Sequence, residues 1–444
     1  MANSTPTSLS GLFKKVYVDK IKDLLPKGFP MSEMIKFEER FKNGSSIQVP
    51  VNLTHENGIT LGGQGSSEVT FESAKTGIIK QAEVVPYELF LSSGILTAVL
   101  SRATSQGPQS FEAASKNRVK ANIKSHQRLR EHFMVYGQDE NGIGRDADGF
   151  SGSWGGATIT DGDGSITADG VTYTFVSGVD VSNKAILLNP ADLASGILLG
   201  SEGLEVQQLN ASTDAVLTAD MAIVSVNTTL GIVTFDKAPD ATDVESKLVI
   251  TGQEESLEMA GAKKILTNTG SLFGINASTY SLWKGTVYDV DSGKLTFEKI
   301  IDAVSKACDR GLDSDVVCLV SHASWADLIS EQAALRNYDS SFSPDESANG
   351  SKGLKFHFVN GSITIKASRF IRRADAFILN ENDWHLYGSS DISMKVPGLE
   401  DNELLQKPIN SNVFVFRSYS DSVLFCDRPS ASVYLKNIDP DAAS

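Results

Sequence analysis

The stretch "VPVNLTHENGITLGGQGSSEVTFE", Val49 to Glu72, decides how the rest of the chain is read. Ile47, Val49, Val51 and Leu53 alternate with polar residues, the period of a β-strand. Pro50 removes a ladder donor, which places that strand at an edge. Asn57-Gly58 is the dipeptide favoured in tight hairpin turns, and "EVTFE" is expected to return as the second arm. A glycine cluster, Gly62, Gly63 and Gly65, sits between the arms. Little in this long polar hairpin could fill a core, so its own chain has small reason to bury it.

Working outward, the chain of 444 residues has length for several domains, and its 41% hydrophobic and 21% charged content is that of a folded protein. No apolar run is long enough to span a bilayer, and the first residues, "MANSTPTSLSGLFKK", do not read as a secretion signal. Cys308, Cys318 and Cys426 lie among apolar neighbours and read as reduced thiols. Acidity is concentrated. Residues 145–260 hold 4 Lys+Arg against 18 Asp+Glu, nearly the whole net charge of −15.

Residues 9–25 read as an amphipathic helix stopped by Pro26 and Gly28. Residues 107–136 read as one long helix with no internal Gly or Pro, with Phe111, Val119, Ile123 and Phe133 on one face. Lys116, Lys120, Lys124 and Arg128 recur every four residues as a basic stripe, the candidate DNA-facing surface. Such a stripe also suits a solvated face, or one paired with acidic neighbours.

Residues 150–252 are rich in Gly, Ser, Thr, Asp and Val and read as an inserted all-β unit, with "TITDGDGSITADG" as a turn region. From about residue 290 the pattern is α/β. "LTFEKIIDAVSKACDRG" is a helix with Thr296 as N-cap and Gly311 as C-cap. "DVVCLVS" is a buried strand and "HASWADLISEQAALR" a second helix. "LKFHFV", "SITIKAS", "AFILN", "VFVFRSY" and "SVLFCD" are strands.

Catalytic and cofactor signatures are weak. Gly62-Gly63-Gln64-Gly65 lacks the Walker lysine and precedes a strand. The calcium-like run from Asp289 has Lys294 and Ile300 where an EF-hand needs Gly and Glu. "DGDGS" (161–165) is an acidic turn that could take calcium. The six histidines are not spaced for zinc, and no GxSxG elbow is present. We expect no enzyme, no cofactor and no metal.

The order of parts, with "KILTNTGSLFGINASTYSLWKG" (264–285), "CLVSHASWADLISEQAALRNYDSSFS" (318–343) and "LFCDRPSASVYL" (424–435), resembles the major capsid proteins of tailed double-stranded DNA bacteriophages. The resemblance implies an α+β fold of the Hong Kong 97 type carrying an inserted all-β domain. Its parts would be an N-terminal arm (1–46), an extended β-hairpin loop (47–76) and a peripheral domain with a spine helix (77–149). The insertion (150–252), a peripheral return (253–289), an α/β axial domain (290–400) and C-terminal strands (401–444) would follow. In that family the loop lies over the neighbouring subunit, with Asn57, Gly58, Gly62, Gly63 and Gly65 at its tip here. The implied function is a structural subunit assembling with itself into hexamers and pentamers around packaged DNA.

Implied partners are a portal protein at one vertex, separate scaffolding and decoration proteins where used, and DNA bound non-specifically. No membrane is involved: the chain would assemble in the host cytoplasm and reside in the virion. An encapsulin-like compartment of the same fold is the alternative, and a secreted β-rich adhesin or hydrolase is a third class. Some family members cross-link through a loop lysine. Residues 43–74 contain none, and Lys42 and Lys75 are expected to flank the hairpin base.

Overall fold

The computed structural model describes residues 28–40, 44–61, 71, 73–96, 114–241, 244–252, 257–336, 354–358, 360–394, 406, 408 and 411–442. The expected helix at 9–25 and Phe111 lie outside them. The chain divides into two compact units. The smaller takes in Phe90–Gln127 and Ile392–Tyr419, and the larger takes in Pro26–Leu89, Arg128–Asp391 and Ser420–Ser444.

In the larger unit a six-stranded mixed sheet runs in the order Thr286–Gly293, Val433–Ile438, Ala376–Leu379, Val316–Val320, Gly361–Ala367, Leu354–Phe358. Its two central strands, Ala376–Leu379 and Val316–Val320, are buried at every residue, which is why they read as unbroken apolar runs. The helix Phe297–Cys308 lays Ile300, Ala303, Val304 and Ala307 into this core. Thr296 caps it by accepting from the Lys299 amide at 3.3 Å. Its C-cap is Asp309 rather than Gly311. Gly311, two residues on, turns the chain with a φ of +102° that only glycine takes without strain. The expected "VFVFRSY" and "SVLFCD" are one continuous strand, Val413–Cys426.

The β-rich segment is a seven-stranded antiparallel sheet with two small hairpins. It starts at Gly144–Arg145, earlier than position 150, and returns through Ser246–Ile250. The turn region resolves into two Asp-Gly turns. Asp161-Gly162 and Asp169-Gly170 all have positive φ, as two-residue hairpin turns require.

Asn57-Gly58 behaves differently. Ile47–Asn52 pairs antiparallel with Ile79–Val84, from Ile47↔Val84 to Asn52↔Ile79. The described ladder of the second arm is 79–84, and of "EVTFE" only Phe71 is among the described residues. Neither Asn57 nor Gly58 has a positive φ, and the Asn57 amide donates to Lys75 O across the hairpin at 3.3 Å. Asn57 and Gly58 thus lie on the outbound arm rather than at a turn, and Gly62, Gly63 and Gly65 lie outside the described residues. Lys75 is opposite Asn57, beyond the ladder, and not at the base.

The hairpin base is also better packed than its composition suggests. Leu53, Ala82 and Val84 are buried in a cluster with Trp283, Tyr387, Val423 and Phe425. Past that cluster the apolar side chains are bare: Ile59 is 69% exposed, Leu61 91%, Phe71 81% and Ile79 67%.

Candidate functional site

The long helix Ala114–Tyr136 ends in a buried charge knot of the larger unit. Gly137 and Gly261 approach so closely that a Cβ on Gly261 would lie 2.5 Å from the Gly137 amide, and Gly261 N donates to Gly137 O at 2.8 Å. This brings Tyr136, Asp139 and Lys263 together. Arg372, 1% exposed, stacks over the Tyr136 ring at 4.1 Å, pairs with Asp139, and donates to Gly142 O at 2.8 Å. Lys263 reaches Asp139 at 3.1 Å. Tyr136 and Tyr434 donate to the two oxygens of Asp375, at 3.0 and 2.7 Å. Arg145, at the root of the β-rich segment, joins Asp192 at 2.7 Å.

Burial works against each charge, and the partners decide the outcome. Asp139 is held below the usual carboxylate range because Arg372 and Lys263 outweigh its burial. Burial lowers Arg372, but Asp139 and Asp192 override it and raise the guanidinium above its ordinary value. Burial pushes Asp375 up, and also Tyr136. A polar cleft of about 540 Å³ opens onto the knot. The charges are spent on one another, so the arrangement is a mechanical joint. It ties the helix end, the β-rich segment, the 263 helix and two strands of the mixed sheet. Among the described residues no group of three or more His, Cys, Asp or Glu could hold a metal.

Sequence reasoning missed this joint. It also missed the polar side chains of the long helix that are buried beside Leu129, Met134, Val135 and Tyr136, while the expected apolar face at Val119, Ile123 and Phe133 is only half-buried. In the smaller unit Asn122 donates to Leu91 O and Ser93 Oγ at 3.1 and 2.8 Å, and His126 shares a 2.8 Å hydrogen bond with Ser418. In the larger unit Arg130 pairs with Asp391, and Glu131 is fully buried. The signal was present as Asn122, His126 and Arg130, four apart on one face. His132 is also buried, with no hydrogen-bond partner on either ring nitrogen among the described residues. Burial pushes its pKa down to about 3.

The basic stripe is not one surface. Lys120 is exposed and Lys124 half-buried. Lys116 is in the helix, but its side chain lies outside those described. Arg128 has to be removed from the DNA-facing set. Its guanidinium donates to Leu199 O and Gly200 O, at 2.9 and 3.2 Å, and its burial lowers its pKa. Asp289 of the calcium-like run is held by Lys436 and Asn437, and Asp163 of "DGDGS" accepts from the Ser177 amide.

Solved structures resemble the chain along its whole length at low identity. It is similar to a chain of the cyanophage A-1(L) capsid asymmetric unit, with a TM-score of 0.56, 10% identity, and coverage of 98% of this chain and 99% of that one. It is similar also to a chain from the capsid of an empty GTA particle, with a TM-score of 0.50, 9% identity, and coverage of 98% and 100%. No protein-family model and no curated protein matches it. The fold, mixed α/β with few helices, is that of capsid subunits, as the sequence resemblance implied.

Proposed function

We propose that this chain is the major subunit of an icosahedral phage capsid, assembling with itself into hexamers and pentamers around packaged double-stranded DNA. The observation that carries this is the hairpin. Ile59, Leu61, Phe71 and Ile79 are bare apolar side chains on a two-stranded ribbon that pairs with no further strand among the described residues. A second copy lying under the hairpin supplies the cover, and repetition over a closed lattice makes weak contacts jointly strong. Changing Leu61 and Phe71 to Ser tests it. The variant should stay folded as a subunit and lose the ability to form shells. Normal shells from the variant would remove the hairpin from assembly.

The same reading divides the chain into the arm, loop, peripheral, inserted, axial and C-terminal parts of a Hong Kong 97-type subunit. It places the acidic insertion away from the genome, on the outer surface or between capsomers, since a segment with 3 Lys+Arg against 13 Asp+Glu would be repelled by packed DNA. Lys116, Lys120 and Lys124 remain the candidate DNA-facing set. Changing the three to Gln should leave shells intact and reduce genome retention, and unchanged retention would exclude that role. Portal, scaffolding and decoration partners belong to this reading, as does residence in the virion.

A further inference from the structure

The hairpin carries a chemically reactive pair. We propose that Asn57-Gly58 is a self-modification site, converting through a cyclic imide to isoaspartate in the unassembled chain. The Gly58 amide nitrogen attacks Cγ of Asn57. The Cγ–Nδ2 bond breaks, and Nδ2 leaves as ammonia with the proton from the Gly58 amide. Water then opens the ring at either carbonyl, giving isoaspartate or aspartate. No oxidant, reductant or enzyme is required.

Three observations select this pair. Asn57 and Gly58 are both exposed. Gly58 has no side chain to hinder the attack, and no hydrogen bond holds its amide among the described residues. The backbone is not locked in a turn, because residues 55–60 form no turn or bend. The other Asn-Gly pairs whose two residues are described are restrained. The Gly142 amide donates to Asp139 O, and Asn141 donates to Asp192. Gly361 pairs with Phe358 in a ladder, and Asn360 donates to Leu312 O at 3.1 Å. Reaction there requires local opening first, so Asn57 should react about tenfold faster or more.

The change adds a negative charge and lengthens the backbone by one carbon on the arm that the proposed function lays over a neighbour. Resting on that reading, assembly protects Asn57, and unassembled chains age out of competence.

Peptide mapping by mass spectrometry after incubation at mildly alkaline pH tests both parts, on the unassembled chain and on particles. The expected result is selective gain at Asn57 in the free chain, abolished by Asn57→Gln and slowed by Gly58→Ala. Equal rates at Asn57, Asn141 and Asn360 in the free chain would overturn the site. Selective reaction that is as fast in particles as in the free chain would keep the site and overturn the covering of the hairpin.

Discussion

Glu131, in the last turns of the long helix, accepts from the backbone amide of Met31 at 2.7 Å and from the amide and hydroxyl of Ser32 at 2.9 and 2.6 Å. The carboxylate serves as the cap for the short helix Pro30–Met34, whose own N-cap residue, Phe29, has no side-chain acceptor. Burial raises the Glu131 pKa against the pull of these bonds. Glu131→Ala should cost about 2–3 kcal/mol by leaving buried donors unpaired. Limited proteolysis of that variant should cut first near residues 28–35. An unchanged cleavage pattern would mean that the helix is anchored by its apolar contacts alone.

The Arg372 joint should fail differently. Arg372→Met leaves Asp139 and Asp192 facing a neutral side chain, and should destabilise by about 3–5 kcal/mol in chemical denaturation. Arg372→Lys should recover only part, because one ammonium cannot span both Asp139 and Gly142 O. Wild-type stability in the lysine variant would show that charge alone, without the planar fork, holds the joint.

His385 gives the clearest pH dependence. Its ring nitrogens face Asp427 at 3.1 Å and Glu38 at 2.9 Å, and it stacks on Tyr387. Arg40, bonded to Glu38, lies 5.5 Å over the same tyrosine. The Asp427 hydrogen bond chiefly raises its pKa, to about 8, against burial. The contribution is fully present below about pH 6.5 and lost as pH rises through about 8, on the order of 1 kcal/mol after screening. The protection factors of the Phe37–Glu39 amides, in the strand that pairs with Leu386–Gly388, should fall over that window in wild type and stay level in His385→Gln. The same fall in the variant would assign it to another group.

Lysine chemistry at the hairpin is open to a simple assay. The tip has no lysine, so particles boiled in denaturant should run as one band at 47.6 kDa. Lys75 sits farther out than the sequence suggested, opposite Asn57. A ladder of multimers that Lys75→Arg abolishes would locate the cross-link there.

How far the sequence could be read follows from where each signal lives. The strands Val316–Val320 and Ala376–Leu379 are buried on both faces, so local composition alone marks them. Asp161-Gly162 and Asp169-Gly170 form the turns that their chemistry favours. Asn57-Gly58 has the same chemistry but no turn, because it lies on the outbound arm, with the Asn57 amide bonded to Lys75 O of the returning chain. Tyr136, Asp139, Lys263, Arg372 and Tyr434 are scattered over some three hundred positions, and each looks like an ordinary surface residue until the fold brings it to the others. The polar buried face of the long helix was misread because its partners, Ser418 and Asp391, are equally remote.

Electron microscopy of the purified chain at high concentration tests the central claim most directly. Closed shells of uniform size are the expected result. A well-behaved monomer, with the hairpin bare and no higher assembly at any concentration, would contradict it.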